Sequence, residues 1–171
     1  MRTGITASVG LIFLVGITAA SFGVGAPETT LPNFDKRGTV GAAQAVSAQQ
    51  QAAAAALGAA LSGAEVDFDP VTGGPKWVSA REKFLTGPGG AGLTVSAATA
   101  ASYAGDAYGP TKAFLRDQSN LFGFGPEALG SAVKTREFTG AHNGLTTVVW
   151  QQQLSGIPIF EAVLISHTSK D

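Results

Sequence analysis

The chain predicts an α+β fold whose ordered part is its last third: two short helices packed on a three-stranded antiparallel sheet. In front of it lies a low-order, Gly/Ala-rich half with one Ala-rich helix. Three observations carry this. Apolar residues recur at three- and four-residue spacing over 111–122, the helical period, and from Lys134 onward they recur at spacing two, the strand period. Two turn-forming dipeptides, Asn143-Gly144 and Ser155-Gly156, divide the second stretch into three strands.

In chain order, Arg2, the apolar stretch 5–17 and the small-x-small Val24-Gly25-Ala26 read as a secretory signal peptide over residues 1–26, so the chain is expected outside the cytoplasm, secreted or periplasmic. A membrane anchor needs roughly 20 apolar residues. Thr6, Ser8, Gly10, Gly16 and Thr18 dilute this stretch, which favours cleavage and no membrane attachment afterwards. Without cysteine there is no disulfide framework and no thiol chemistry. A net charge of −1 with 13% charged residues leaves no basic stripe to neutralise phosphates, which argues against nucleic-acid partners.

Residues 27–109 read as a low-complexity pro-region or linker. Within it, 27–43 has no period, and 45–61 is rich in Ala and Gln, with Val46, Leu57 and Leu61 on a weak stripe, and predicts a helix. Residues 63–92 read as short extended pieces between the turns at Pro70, Gly73-Gly74-Pro75 and Gly87-Pro88-Gly89-Gly90. Residues 93–110 read as linker.

Residues 110–171 form the predicted domain. Thr111 can cap a helix carrying Phe114, Leu115, Gln118, Leu121 and Phe122, which Gly123 stops. Pro126 opens a second short helix with Ala128, Leu129 and Val133 on one side. Phe138 lies in a first strand. Val148, Trp150, Gln152 and Leu154 alternate in a second, and Ile157, Ile159, Glu161, Val163 and Ile165 alternate with Phe160, Ala162 and Leu164 in a third. Trp150, Ile159, Phe160 and Leu164 are expected to form the core against Phe114, Leu121 and Phe122. Gln151, Gln152 and Gln153 are expected as exposed strand residues.

Several patterns suggest chemistry and fail in context. Gly87-Pro88-Gly89-Gly90-Ala91-Gly92 satisfies G-x-G-x-x-G but has neither a buried strand before it nor an apolar-periodic helix after it. Asp67, Asp69 and Gly73 hint at a calcium loop, yet Val71 and Val78 stand where ligands are needed. His142 and His167 read as exposed imidazoles, and no Gly-x-Ser-x-Gly elbow places a serine nucleophile. No catalytic, cofactor-binding or metal-ligating residue is therefore assigned, and the chain is not read as an enzyme.

A joint series of short motifs points elsewhere. Ala113-Phe114-Leu115 is followed by Leu121-Phe122-Gly123, Asn143-Gly144, Thr146, Val148 and Gln152, then Gly156-Ile157-Pro158-Ile159-Phe160 and the apolar stretch 163–167. In order and spacing this block resembles the fungalysin/thermolysin propeptide (FTP) domain, the pro-region of secreted zinc metalloproteases. The resemblance implies a module that assists folding of an attached protease and holds it inactive, with the zinc metalloprotease catalytic domain as partner. It makes Phe114, Leu115, Leu121, Phe122, Gly144, Thr146, Val148, Gln152, Gly156, Pro158 and Phe160 structural or partner-contact residues. Related precursors continue into a catalytic domain with His-Glu-x-x-His. The sequence to Asp171 lacks that motif, so the resemblance implies a truncated precursor, a split gene product or a free-standing pro-domain acting in trans. The alternative is a secreted binding or structural module that uses an exposed edge strand.

Overall fold

The computed structural model describes residues 44–81 and 83–169, and the expected signal peptide 1–26 and segment 27–43 lie outside them. The described chain is α+β, with a two-stranded hairpin and a three-stranded antiparallel sheet.

Helix α1, Ala48–Ala60, forms where the Ala/Gln run predicts it. A capping box starts it: Ser47 Oγ accepts from Gln50 N at 3.2 Å, and Gln50 Oε1 accepts from Ser47 N at 3.1 Å. Its apolar side is thin, with Leu57 and the following Leu61 buried.

The segment expected as separate extended pieces is a hairpin of β1, Ala64–Phe68, and β2, Pro75–Ala80. Its turn is closed by Asp69, whose Oδ1 accepts from Val71 N and Thr72 N at 2.8 Å each. These bonds hold the Asp69 carboxyl below its ordinary range. The Asp67, Asp69 and Gly73 pattern thus lies at this hairpin turn, where Asp69 accepts from backbone amides.

Residues 87–92 do not open a helix. Pro88–Gly90 is a 3-10 turn, and a Cβ on Gly90 would lie 2.9 Å from the Cα of Pro110, so the loop packs onto the start of α3 (Gly109–Asp117).

The expected linker 93–110 is instead docked. Val95 is buried, and α2, Ala97–Ser102, follows it. Asp117 of α3 staples this segment, accepting from Ser96 N and Thr99 Oγ1 at 2.7 Å each. A six-residue helix of Ala, Thr and Ser has no apolar stripe to read. Tertiary bonds hold it in place.

The single helix predicted over 111–122 is broken at Gln118 (φ −100°, ψ 19°) into α3 and α4, Ser119–Phe122. Gln118 Nε2 donates to Thr94 O at 3.0 Å, tying the break to the docked segment. Pro110 occupies the first turn of α3. Thr111 is therefore inside the helix rather than capping it, and its Oγ1 donates to Ser166 Oγ at 3.1 Å. α4 packs against α1, and Gln49 Nε2 donates to Asn120 Oδ1 at 2.7 Å. The second predicted helix is only the 3-10 turn Pro126–Leu129, and Val133 belongs to the sheet.

The sheet has order β3-β4-β5, with β3 at Val133–Thr139, β4 at Thr146–Leu154 and β5 at Ile157–Thr168. Ser155 (φ 51°) and Gly156 (φ 81°) make the two-residue turn expected between β4 and β5. Asn143-Gly144 does not make the other one. The β3–β4 ladder ends at Thr139↔Thr146, and a longer loop follows in which Gly144 has φ 66° and Asn143 Oδ1 accepts from Leu145 N at 3.1 Å.

Val148 and Trp150 face the helices, where they join Leu115 and Leu129 in the core, with Tyr108, Phe122 and Leu164 beside them. Tyr108 meets Trp150 edge-on, centroids 5.5 Å apart. Ile159 and Phe160, expected in this core, are exposed, Phe160 at 88%.

Candidate docking surface

The misplaced aromatic traces to one irregularity in β5. Gln153 pairs with Pro158 and Gln151 with Val163, so Gln152 alone on β4 spans four residues, 159–162, on β5. The three extra residues are an odd number. They reverse the alternation along β5, so strict period-two reading assigns the wrong side to one end of the strand. Glu161, at φ 58°, takes the left-handed conformation at the bend. Gln151 holds the bulge closed: its Nε2 donates to Ile159 O at 2.6 Å and to Ala162 O at 3.2 Å. Sequence reasoning missed this role, because Gln151 differs from its neighbours Gln152 and Gln153 only in the register that the bulge creates.

The outcome is an apolar tip. Leu154 and Ile157, which pair across the turn, are each 70% exposed, with Ile159 and Phe160 beside them on the bulge.

The face of the sheet away from the helices is the second part of the surface. Since Val148 and Trp150 point to the helices, Thr147, Val149 and Gln151 point the other way. The register places Val163 beside Gln151, Arg136 and Ile165 on either side of Val149, and Phe138 and His167 on either side of Thr147. Phe138 is 51% and Ile165 56% exposed, and no helix among the described residues covers them. His167 Nδ1 lies 2.9 Å from Thr147 Oγ1, which ties this imidazole to β4.

The charged groups nearest the core lie on the helix side and act on structure. Lys134 Nζ donates to Glu137 Oε2 and to Tyr108 Oη, and Tyr108 Oη donates to Glu137 at 3.1 Å. The hydrogen bonds from Lys134 and then Tyr108 lower the Glu137 carboxyl, and those to Glu137 and then Tyr108 raise Lys134. Lys112 and the amide of Tyr108 lower Asp106. Burial pushes Asp117 up, but the Ser96 and Thr99 bonds outweigh it and leave it lowered. Among the described residues no group of three His, Cys, Asp or Glu side chains is placed to hold a metal ion, and no helix is long and apolar enough to cross a membrane.

The motif residues separate by role instead of gathering into one site. Leu115, Leu121 and Val148 are buried. Phe114 stacks edge-on against Phe122 at 6.0 Å. Gly144 and Gly156 take the positive φ of their turns. Thr146 Oγ1 lies 2.9 Å from Thr139 Oγ1, across the start of the β3–β4 ladder. Gln152, expected to be exposed, is half-buried, and its Nε2 donates to Ala128 O at 2.8 Å, fastening the 3-10 turn to the sheet. Gly156, Pro158 and Phe160 are exposed, all three at the tip.

No protein-family model, no curated protein and no solved structure matches this chain.

Proposed function

We propose that this chain is an exported pro-domain of the FTP type, which assists folding of a secreted zinc metalloprotease and inhibits it. It would do so either as the front of a precursor or in trans. The observation that supports this reading is the tip, where a bulge pinned by Gln151 spends an aromatic and three aliphatic side chains on solvent. Exposed aromatic anchors of this kind supply most of the energy where two folded proteins meet. Burying them against a catalytic domain stabilises that domain's folded state by mass action and occludes whatever surface it covers.

The test adds the exported chain to a fungalysin- or thermolysin-type protease from the same source. Slower peptide hydrolysis or a higher refolding yield is the expected outcome, and no effect on either ends the reading. Phe160→Ser should weaken the effect at least about tenfold.

A second reading, a secreted binding or structural module working through an edge strand, is favoured by a different observation: residues 163–168 of β5 pair with β4 on one side, and no other strand among the described residues pairs with them on the other.

A further inference from the structure

Asn143-Gly144 closes no two-residue turn and lies instead in the loop 140–145 between β3 and β4. Asn143 is exposed there. Its Oδ1 accepts from Leu145 N at 3.1 Å, a donor that polarises the carboxamide and would hold negative charge developing on that oxygen. The oxygen sits over Gly140, where a Cβ would lie 2.8 Å from it. Gly144 carries no side chain, and a Cβ added to it would point into open space, so the peptide nitrogen that follows Asn143 is unshielded. One contact opposes attack by that nitrogen: the Gly144 N–H donates to Gly140 O at 2.9 Å and is held there.

We infer that Asn143 is a site of spontaneous covalent modification, conversion to aspartate and isoaspartate through a cyclic imide, gated by opening of the Gly144–Gly140 hydrogen bond. This is independent of both docking readings. Opening is local, because no residue of 140–145 is buried and the loop can part without breaking the sheet. Hydroxide then takes the Gly144 amide proton, and the nitrogen's electron pair attacks Asn143 Cγ to form a five-membered imide. The Cγ–Nδ2 bond breaks, and its electron pair leaves with a proton from water as ammonia. Water next adds to one imide carbonyl, the ring C–N bond on that side breaks, and the nitrogen regains its proton. Addition at Cγ leaves an ordinary aspartate. Addition at the backbone carbonyl leaves isoaspartate, with the main chain one methylene longer. Nothing is oxidised or reduced, and the net change is water in and ammonia out.

The chemistry concentrates at this position. The other asparagines, Asn33 and Asn120, precede Phe34 and Leu121, whose side chains crowd the attacking nitrogen. Asn120 also lies in α4, where its Oδ1 accepts from Gln49 and the Leu121 amide is bonded to Gln118 O. At Asn143 the product acts on the sheet. The extra methylene falls between Thr139 and Thr146, the pair that ends the β3–β4 ladder, and beside the Gly140 N–Leu145 O bond that closes the loop.

The test holds the purified full chain at body temperature and mildly alkaline pH and follows it by tryptic mapping. Trypsin releases residues 137–170, in which Asn143 is the only asparagine. A gain of one dalton located at position 143 is expected, part of it as isoaspartate that an isoaspartyl methyltransferase labels, with Asn120 unchanged. In urea the conversion should run several times faster, because the Gly140 carbonyl no longer holds the amide proton. Asn143→Gln, whose longer side chain closes the ring poorly, should abolish the gain. Equal rates in urea and in buffer would remove the gate and overturn the inference. So would a native chain still unconverted when the urea-unfolded chain has converted fully, since the loop would then not open short of global unfolding. A gain that persists in Asn143→Gln would place the chemistry elsewhere and overturn it as well.

Discussion

β4 and β5 are the two arms of one hairpin, similarly rich in apolar residues, and they meet opposite fates. β4 is the middle strand, laddered on both sides, with Val148 and Trp150 under the helices. β5 is an edge, and Ile157, Ile159, Phe160, Val163 and Ile165 all remain exposed along it. Alternation of apolar residues identifies a strand. How much of it is covered depends on how many neighbours it has, which composition does not record.

The contrast should be plainest in stability. Trp150→Ala removes a ring from the core and is expected to cost about 3–5 kcal/mol. Phe160→Ser, on a larger exposed surface, should stay within about 0.5 kcal/mol of the parent. Urea unfolding of the two variants measures both, and similar losses would erase the distinction between the arms.

A smaller effect sharpens it. Gln151 belongs to β4 but serves β5, so Gln151→Ala should leave the carbonyls of Ile159 and Ala162 without their donor and cost about 1 kcal/mol. Faster nicking by chymotrypsin at Phe160 than in the parent would locate that loss at the bulge. Unchanged nicking would mean that the bulge holds without its glutamine.

The mildest effect concerns acid. Asp69, Asp106, Asp117, Glu127 and Glu137 all bind protons less tightly than the ordinary 3.8 of Asp and 4.5 of Glu, and none lies on β5. A lowered carboxyl stabilises the fold above its unfolded value, and that contribution is lost as pH falls through the folded one. Lys134 is raised from 10.5, so its contribution is present below that value and is lost only as pH climbs past it. Melting temperature should therefore be flat between about pH 6 and 9 and decline below about pH 4.5. Asp117→Asn should lower the plateau and soften the acid decline, because Asp117 staples α2 to α3. Each step is small, since these groups are largely solvated.

Much of the fold was legible in the sequence for a physical reason. Helix α1, the two-residue turn at Ser155-Gly156 and the three strands follow from local propensity and period. The features that were not legible depend on partners distant along the chain. The turn signals at Pro70 and Gly73-Gly74 were legible, but that the pieces on either side pair as the β1–β2 hairpin, closed through Asp69, was not. The α2 segment exists because Asp117 reaches Ser96. The break at Gln118 is tied to a carbonyl at Thr94. The candidate surface was half legible: the open edge of β5 could be suspected from its composition, while the outward Phe160 required knowing that the strand gains three residues against its neighbour.

The last sheet is also a short-range object. Its strands are consecutive, so each ladder closes only a small loop, and loop closure is the entropic cost that delays folding. The contact between α1 and α4 is different in kind: the Gln49–Asn120 bond spans 71 positions of sequence. We predict an order of assembly in time, with the meander set first and the Ala-rich helix arriving on a surface already built. Pulsed hydrogen exchange during refolding would then protect the amides of Val149 and Leu164 before that of Leu57, and the reverse order would refute it. A chain assembled in that sequence completes its apolar tip before the rest of itself.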